Sequence, residues 1–447
     1  MKFKHLIFIL ISSLLLTACQ TDRFDNWILS EDEGLKDTLS VELVATYHVP
    51  DNLLYQKIMN FSEQHPNLEV SVRRSDSGIY SPSAWILGGE GPDDPPDILE
   101  LTPNQMKMFF HHGKIESLGI REPQYQDYLI HSPDGYILGI KTKISPLVVY
   151  YNREILRRHG LEVPMNEWDW AQFEQVITVL KERGENVYIL ATPHLLEWVT
   201  INRYDGRIVD ASGTAFKGYL DSNEAIQAAE WLLSINTQME DYKLWPSSGS
   251  THIYFPLPND LIDNNMALAV DYPYTHQATS IRSYVEIMEQ NEHIGISPLP
   301  GGSDVVNPAM MSGLAIHSGS KNKEAAIALI RYLLEESDDF YRDTVVQTHQ
   351  AEAGRHPNEQ IEEWSVVLQE ARRSVPVSLI MNEGRQWSNH SSRFIMIDFY
   401  RANQNGQPVK DVLKGYADEF DQQFVEFKKD LKNYYDCLKQ RIGVCHQ

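Results

Sequence analysis

Several residues that can bind a polar molecule follow segments with the apolar pattern of β-strands. Tyr272 and Tyr274 flank Pro273 after the apolar run that ends at Val270, and a proline-stiffened loop presents its side chains. Tyrosine offers a flat apolar face with a polar edge, which suits ligands that carry both C–H faces and hydroxyl groups. Further candidates add hydrogen-bonding groups or a second aromatic ring: Asp271 lies at the same strand end, and Glu100, Asn104, Tyr47 and His48 lie at or just after the ends of other predicted strands.

Each of these residues also has a purely structural interpretation. A tyrosine at a strand end commonly caps a core, and an acid or asparagine is commonly a surface group or a helix cap. Met310-Met311-Ser312-Gly313 leads into another apolar strand, where the glycine either allows the backbone to approach a ligand or forms a plain turn. Residue type alone therefore indicates that a binding site exists but does not determine which of these residues form it.

The sequence lacks the motifs of the common hydrolases and nucleotide-binding proteins. It contains no Gly-x-Ser-x-Gly elbow, no His-Glu-x-x-His helix and no Gly-x-x-x-x-Gly-Lys phosphate loop. A secreted glycosidase uses paired carboxylates, but a large number of acids does not identify such a pair. We therefore expect no catalytic residue, no cofactor and no metal site.

The first residues are typical of an exported lipoprotein. Lys2, Lys4 and His5 precede an apolar run from Leu6 to Leu16, which is too short to span a bilayer. The following Leu16-Thr17-Ala18-Cys19 resembles the bacterial lipobox, which predicts lipidation of Cys19. Multiple acyl chains would hold the mature chain on the membrane surface.

Charge and cysteine usage restrict the partners further. Without residues 1–18 the chain carries 37 basic and 62 acidic side chains, a formal net charge of −25, so nucleic acid is a poor partner. Cys437 and Cys445 are close enough for a small terminal disulfide, although two free thiols are an alternative.

The chain is long enough for two lobes and shows alternating strands and helices. Residues 20–40 are polar and acidic, which predicts a tether. A strand at 41–47, a helix from Leu53 and a strand at 68–72 form a βαβ unit, which implies parallel strands. Further helices are predicted at 170–181, 224–233, 323–335, 361–372, 394–401 and 409–430.

Four stretches in chain order carry recognisable motifs: 41–72, 96–118, 135–164 and 296–326, which include Pro96-Asp97-Ile98, Val149-Tyr150-Tyr151-Asn152 and Ser320-Lys321-Asn322. In their order and spacing these stretches resemble the extracellular solute-binding protein family 1. Where relatives often carry Gly-x-Trp after a strand, this chain has Asp271-Tyr272-Pro273-Tyr274, so the identity of the ligand does not transfer.

The resemblance implies a two-lobed α/β fold of the periplasmic-binding-protein type II class, each lobe a mostly parallel sheet flanked by helices. The lobes would be joined by crossings near 141–146, 295–298 and 336–340, with the ligand held between them. By the same analogy Trp387 and Trp198, the latter in a loop of the second lobe, would contact the ligand. The implied divisions are a signal peptide (1–18), a lipidated cysteine with its tether (19–40), an N-terminal lobe (41–141 and 297–336), a C-terminal lobe (146–293 and 340–435) and a tail (436–447).

The resemblance also implies a function: a monomeric binding subunit of an ABC importer, anchored outside the cell, that captures a sugar or oligosaccharide for a membrane permease. A peptide or another small ligand, or delivery to a sensor, is the alternative on the same fold. A secreted enzyme that acts on glycosides is a further, less favoured alternative.

Overall fold

The computed structural model describes residues 37–43, 53–74, 95–111, 113–132, 134–163, 167–189, 193–210, 215–235, 245–247, 250–252, 266–272, 291–335, 364–376, 402 and 405–422. Several predictions lie outside these residues: the signal peptide, the crossing at 336–340, the helix at 394–401, and the roles of Cys19, Tyr47, His48, Tyr274, Trp387, Cys437 and Cys445. Within the part described, no helix combines the length and the apolar character needed to cross a bilayer.

The first lobe is built on a seven-stranded sheet in the order β2-β1-β3-β12-β5-β4, with β13 beside β12. Its strands are β1 (Asp37–Leu43), β2 (Leu68–Arg74), β3 (Ile98–Leu101), β4 (Leu129–His131), β5 (Ile137–Ser145), β12 (Asn307–Ile316) and β13 (Ser374–Pro376). Helices α1 (Leu53–Gln64), α2 (Pro103–His111) and α7 (Lys323–Glu335) and a 3₁₀ helix (Pro123–Tyr128) belong to the same lobe. Because β1 begins at Asp37, residues 37–40 belong to the sheet and not to the predicted tether.

Residue spacing explains these first elements. Leu39, Val41 and Leu43 alternate along β1 and are buried, as a strand with one covered face requires. In α1 the buried residues Leu54, Ile58 and Phe61 recur at helical spacing. Helix α2 ends before Gly113, whose φ of 64° is the left-handed conformation that glycine adopts without strain.

Asp97 connects two of the stretches that carry the family resemblance. Its carboxylate accepts hydrogen bonds from the backbone N–H and the hydroxyl of Ser40 in β1 (2.8 and 2.9 Å). It also accepts from the Ser320 hydroxyl (2.6 Å) and the Asn322 amide (3.4 and 3.3 Å), just before α7. Asp97 therefore holds β1 and the start of α7 together, which gives the Pro-Asp motif a structural role.

The second lobe is built on a four-stranded sheet in the order β11-β6-β10-β7. Its strands are β6 (Val148–Asn152), β7 (Val187–Tyr188), β10 (Leu268–Asp271) and β11 (Ile294–Ser297), and a separate hairpin comprises β8 (Trp245–Ser247) and β9 (Ser250–His252). The helices are α3 (Arg153–Arg158), α4 (Trp170–Glu182), α5 (Pro193–Tyr204), α6 (Asn223–Ile235), α8 (Trp364–Arg372) and α9 (409–422). Asn152 caps α3, and Asp169 forms a capping box with Gln172 at the start of α4.

Both sheets are mixed, which corrects the expectation of mostly parallel strands. Strands β1, β2 and β3 are parallel, but β12 runs antiparallel to both β3 and β5. In the second sheet β6 runs antiparallel to β10 and β11. Strands β6 and β12 each begin at a crossing, so they run opposite to the neighbouring strands that end on that side of the sheet.

The apolar cores show where one lobe ends and the other begins. Neighbouring residues of the first sheet, such as Ile98 and Leu99, belong to separate clusters on its two faces. A third and larger cluster fills the second lobe. It also includes residues from the crossing ends of the first sheet and the segment before β12: Ile144, Leu147, Leu299, Val305, Ala309 and Met311. The segment before β12 therefore packs with the core of the second lobe, together with Ala309 and Met311 near the start of β12, whereas the sequence predicts a first lobe that resumes at residue 297.

Candidate functional site

The carboxyl ends of the parallel strands in both sheets point toward the crossings. In the first sheet, Ile98 at the start of β3 pairs with Ile316 and Leu101 at its end pairs with Gly313, so β3 runs toward the side of the sheet on which β12 begins. In the second, Asp271 at the end of β10 pairs with Val148, the first residue of β6. Ligands of open α/β sheets bind beyond the carboxyl ends of strands, so the region beside the crossings is the candidate site.

The first lobe contributes a polar group next to its crossing. The Ser312 hydroxyl donates to a carboxylate oxygen of Glu100 at 2.6 Å. Lys143 lies directly opposite Ser312 in the sheet, two residues before the end of β5 at Ser145, a distance of about 7 Å along the strand. Burial lowers the pKa of Lys143, and the negative charge of Glu100 opposes that shift. Glu100 was predicted, whereas Lys143 and Ser312 were not proposed as binding residues.

Asn104 lies beside this group in sequence and structure. It occupies the first turn of α2, which begins two residues after β3 ends. Thr102 and Gln105 cap this helix by exchanging backbone to side-chain hydrogen bonds of 2.8 and 3.2 Å. Asn104 is half-buried and is not one of these two capping residues, so the prediction that it contacts the ligand stays open.

Tyr272 is anchored to the crossing and is only 4% exposed. Its hydroxyl donates to the carbonyl oxygen of Pro308 at 3.1 Å, and its backbone N–H donates to the Asp271 carboxylate at 2.8 Å. Burial, together with the carboxylates of Glu197 and Asp271, raises the pKa of Tyr272 well above its usual value. Tyr272 thus differs from the presented side chain that the sequence suggested, while half-buried Asp271 lies at the predicted strand end.

His194 and Glu197 complete the polar group of the second lobe. Both lie in the first turns of α5 and are buried, and the His194 ring contacts the Tyr272 ring edge to face at 5.6 Å between centroids. His194 Nδ1 has no hydrogen-bond partner among the described residues. The sequence analysis did not propose either residue. The sequence signal that could have identified them is that His194 and Glu197 adjoin the apolar residues Leu195, Leu196, Trp198 and Val199.

Burial lowers the pKa of His194 to about 4. Because the unfolded chain then binds more protons between pH 6.5 and 4, stability is expected to fall as the pH drops through that range, by about 2 to 3 kcal/mol from this residue at pH 4.5. Urea unfolding at pH 7.5 and 4.5 should therefore show a smaller loss in His194→Gln than in the wild type. Equal losses in the two proteins would contradict the assignment.

Trp198 belongs to an aromatic cluster inside the second lobe and not to a loop. It lies in α5, is 0% exposed, and packs against Trp170 and Phe173 with centroid distances of 5.1 and 6.2 Å. The Arg203 guanidinium covers Trp170 and Trp231 at 5.5 and 5.1 Å. This placement favours a packing role for Trp198, because a fully buried ring has no face left for a ligand.

The described residues hold no group of three or more His, Cys, Asp or Glu side chains arranged for a metal ion. The polar groups that lie beside the crossings in the two lobes are carboxylates, a hydroxyl, an ammonium group and an imidazole. Such a set can accept and donate hydrogen bonds to a polar ligand, and it lies on both lobes. Together with the mixed α/β sheets, it defines a two-lobed binding protein.

The family comparison agrees with this class. The model for bacterial extracellular solute-binding proteins matches residues 45–339. The chain belongs to this family. A search of curated proteins gives no significant match.

Solved structures show the same fold at low sequence identity. The cyclic α-maltosyl-1,6-maltose binding protein of Arthrobacter globiformis superposes with a TM-score of 0.62 at 14% identity, covering 89% of this chain and 99% of the other. MalE of Xanthomonas citri, a sugar-binding protein, gives 0.59 at 17%, covering 90% and 100%. UgpB of Mycobacterium tuberculosis, in complex with glycerophosphocholine, gives 0.58 at 16%, covering 90% and 99%. The two-lobed α/β fold expected from the sequence is confirmed.

Proposed function

We propose that this protein captures a carbohydrate between its lobes and delivers it to the membrane permease of an ABC importer, while a lipid on Cys19 holds it at the outer face of the cell membrane. One observation carries the proposal. Polar side chains of both lobes lie beside the crossings: Glu100, Ser312 and Lys143 in the first lobe, and Asp271, His194 and Glu197 in the second.

Contacts from both lobes provide the driving force for closure. A ligand shifts a conformational equilibrium only by the difference between its affinities for the two states. A molecule that touches one lobe binds the open and closed forms equally well, so it leaves the equilibrium unchanged. A molecule that reaches both polar groups binds the closed form more tightly, which is the condition for hinge closure.

The charges near the crossings favour a neutral, hydroxyl-rich ligand. Glu100, Glu197 and Asp271 are carboxylates that accept hydrogen bonds from hydroxyl groups, whereas an anionic ligand would be repelled by them and by the acidic surface. Lys143 supplies one donor. Trp387, Tyr274, Tyr47 and His48 remain our candidates for the aromatic faces on which sugar rings stack.

The proposal predicts thermal stabilisation by a carbohydrate. A ligand that binds only the native state stabilises it by about 2.7 kcal/mol at 100 times its dissociation constant, which corresponds to a rise in Tm of several degrees. We would screen maltose, maltotriose, a cyclic tetrasaccharide, glycerophosphocholine and a tripeptide by differential scanning fluorimetry. Stabilisation by the tripeptide or glycerophosphocholine alone would replace the carbohydrate assignment, and release of reducing ends would indicate an enzyme.

Trp387→Ala provides the matching test of the site for any sugar that binds. Loss of a stacking face should weaken the affinity measured by calorimetry at least tenfold without lowering the Tm of the free protein. Tyr136→Ala is the control, because Tyr136 is exposed and precedes β5 at the end remote from the crossing. Unchanged affinity in Trp387→Ala would remove this residue from the site.

A further inference from the structure

Asn307 is the first residue of β12 and is completely buried between the two crossings that the described residues include, at 145–148 and 297–307. Its Oδ1 accepts from the backbone N–H of Leu147 at 2.9 Å, and its Nδ2 donates to the Leu147 carbonyl oxygen at 2.7 Å. Leu147 lies between β5 and β6, in the first crossing. The Asn307 carboxamide, at the end of the second crossing, thus forms hydrogen bonds with both the backbone N–H and the carbonyl oxygen of Leu147 in the first crossing.

The same carboxamide is tied to the second lobe through α8. Asn307 Nδ2 donates to a carboxylate oxygen of Glu370 at 2.7 Å. The other Glu370 oxygen accepts from the backbone N–H of Leu299 at 2.9 Å, and Arg373 forms an ion pair with the carboxylate. Arg373 Nη1 in turn donates to the Gly302 carbonyl oxygen at 2.7 Å. Glu370 and Arg373 therefore fasten the segment before β12 along much of its length.

Other contacts hold this segment to the second lobe independently. Asn202 in α5 accepts from the backbone N–H of Val306 at 2.7 Å and donates to its carbonyl oxygen at 2.8 Å. Trp168 Nε1 donates to the Pro298 carbonyl oxygen at 2.7 Å. The backbone of the segment 298–307 is therefore hydrogen-bonded to side chains of the second lobe near both of its ends.

The regular pairing of β5 with β12 breaks a few residues farther into the first lobe. Ser312 pairs with Lys143, but Gly313 pairs with Lys141, which leaves Thr142 as an extra residue in a β-bulge. A Cβ atom on Gly313 would lie 2.2 Å from the Ile140 carbonyl oxygen, so the strands meet there in a way that only glycine allows. The boundary between the two apolar cores falls at the same place: Ile144 and Met311 belong to the second core, and Ile140 and Leu314 to the first.

We propose that Asn307 is a positioning residue for ligand capture: it couples the two crossings into one rigid unit with the second lobe, so that closure bends the protein at the bulge formed by Thr142, Ser312 and Gly313. The proposal rests on hinge closure as the proposed mode of function. Asn307 acts on affinity without touching the ligand, by keeping one bending point in place of two.

The test compares Asn307→Ala with Asn152→Ala in the ligand-free protein. Asn152 is also completely buried in the second lobe, and its Oδ1 accepts two backbone hydrogen bonds at 3.0 Å each, both from the first turn of α3. Fluorophores on Glu69→Cys and Glu182→Cys, exposed residues of the first and second lobes, report the distance between lobes by single-molecule energy transfer, with Cys19, Cys437 and Cys445 replaced by serine. Hydrogen exchange followed by mass spectrometry reports the Leu147 amide.

We expect Asn307→Ala to broaden the distance distribution and to accelerate exchange at Leu147 at least tenfold, while Asn152→Ala leaves both unchanged. Equal broadening in the two variants, or none in Asn307→Ala, overturns the proposal. If Asn307→Ala does not fold, Glu370→Gln takes its place. This variant keeps the hydrogen bonds between Asn307 and Leu147 and weakens the bond between Asn307 and α8. A distance distribution identical to that of the wild type then overturns the proposal. The experiment uses no ligand, so its result can be interpreted even if the protein does not bind carbohydrate.

Discussion

Replacing Glu370 by alanine is expected to lower the free energy of unfolding by about 3 to 5 kcal/mol, the usual cost of removing one partner from a buried ion pair. The Glu370 side chain is 0% exposed, and its two oxygens accept from Leu299, Asn307 and Arg373. Alanine leaves the Arg373 guanidinium, 13% exposed, without its carboxylate in the interior. Urea unfolding monitored by circular dichroism at pH 7.5 measures the loss.

Glu116→Ala is the control for this prediction. Glu116 forms an ion pair with Lys323, but their side chains are 32% and 28% exposed, so its removal should cost less than about 1 kcal/mol. A loss below about 1 kcal/mol in Glu370→Ala as well would show that water replaces the missing carboxylate.

Trp198→Ala is expected to cost about 3 to 5 kcal/mol of stability, as deletion of a large buried aromatic ring does. Trp198→Phe should cost far less, because it keeps most of the ring and removes an indole N–H that has no hydrogen-bond partner among the described residues. The same unfolding experiment separates the two variants, and calorimetry with a sugar from the screen should give wild-type affinity for Trp198→Phe.

Trp231→Ala is the matched control in the same aromatic cluster. Trp231 is half-buried and donates from Nε1 to Glu174 at 2.9 Å, so its replacement should cost about 1 to 2 kcal/mol. If Trp198→Phe kept its stability but lost affinity for the sugar, Trp198 would be a ligand residue after all and the packing role would be incomplete.

Much of the local structure was readable from residue spacing. The helices predicted at 170–181, 224–233 and 323–335 match α4, α6 and α7 within two residues at each end, because each has a sustained apolar period. Trp198 was assigned to a loop although Pro193 stands at the first position of α5, where proline favours a helix start. That signal was present in the sequence.

The remaining differences depend on contacts that no local pattern contains. The strand end at Tyr272 was located correctly, but its burial depends on the Pro308 carbonyl, 36 residues away. Lys143 was missed because its environment depends on Ser312 across the sheet, although two lysines alternating with apolar residues in Ile140-Lys141-Thr142-Lys143-Ile144 could have been noticed. Asn307 and Leu147 are 160 residues apart in the sequence, so their hydrogen bonds could not be predicted from local sequence patterns.

The central position of β12 in the first sheet has a consequence for biosynthesis. Strand β12 separates β3 from β5 and pairs with both, yet it begins at Asn307, about two hundred residues after β3 ends. At a translation rate of about 5 to 20 residues per second, roughly 10 to 40 s pass before the ribosome supplies it. Throughout that interval β3 and β5 each lack a neighbour along one edge, and such edges pair readily with other chains. A newly made chain therefore depends on being kept unfolded or shielded until its middle strand emerges.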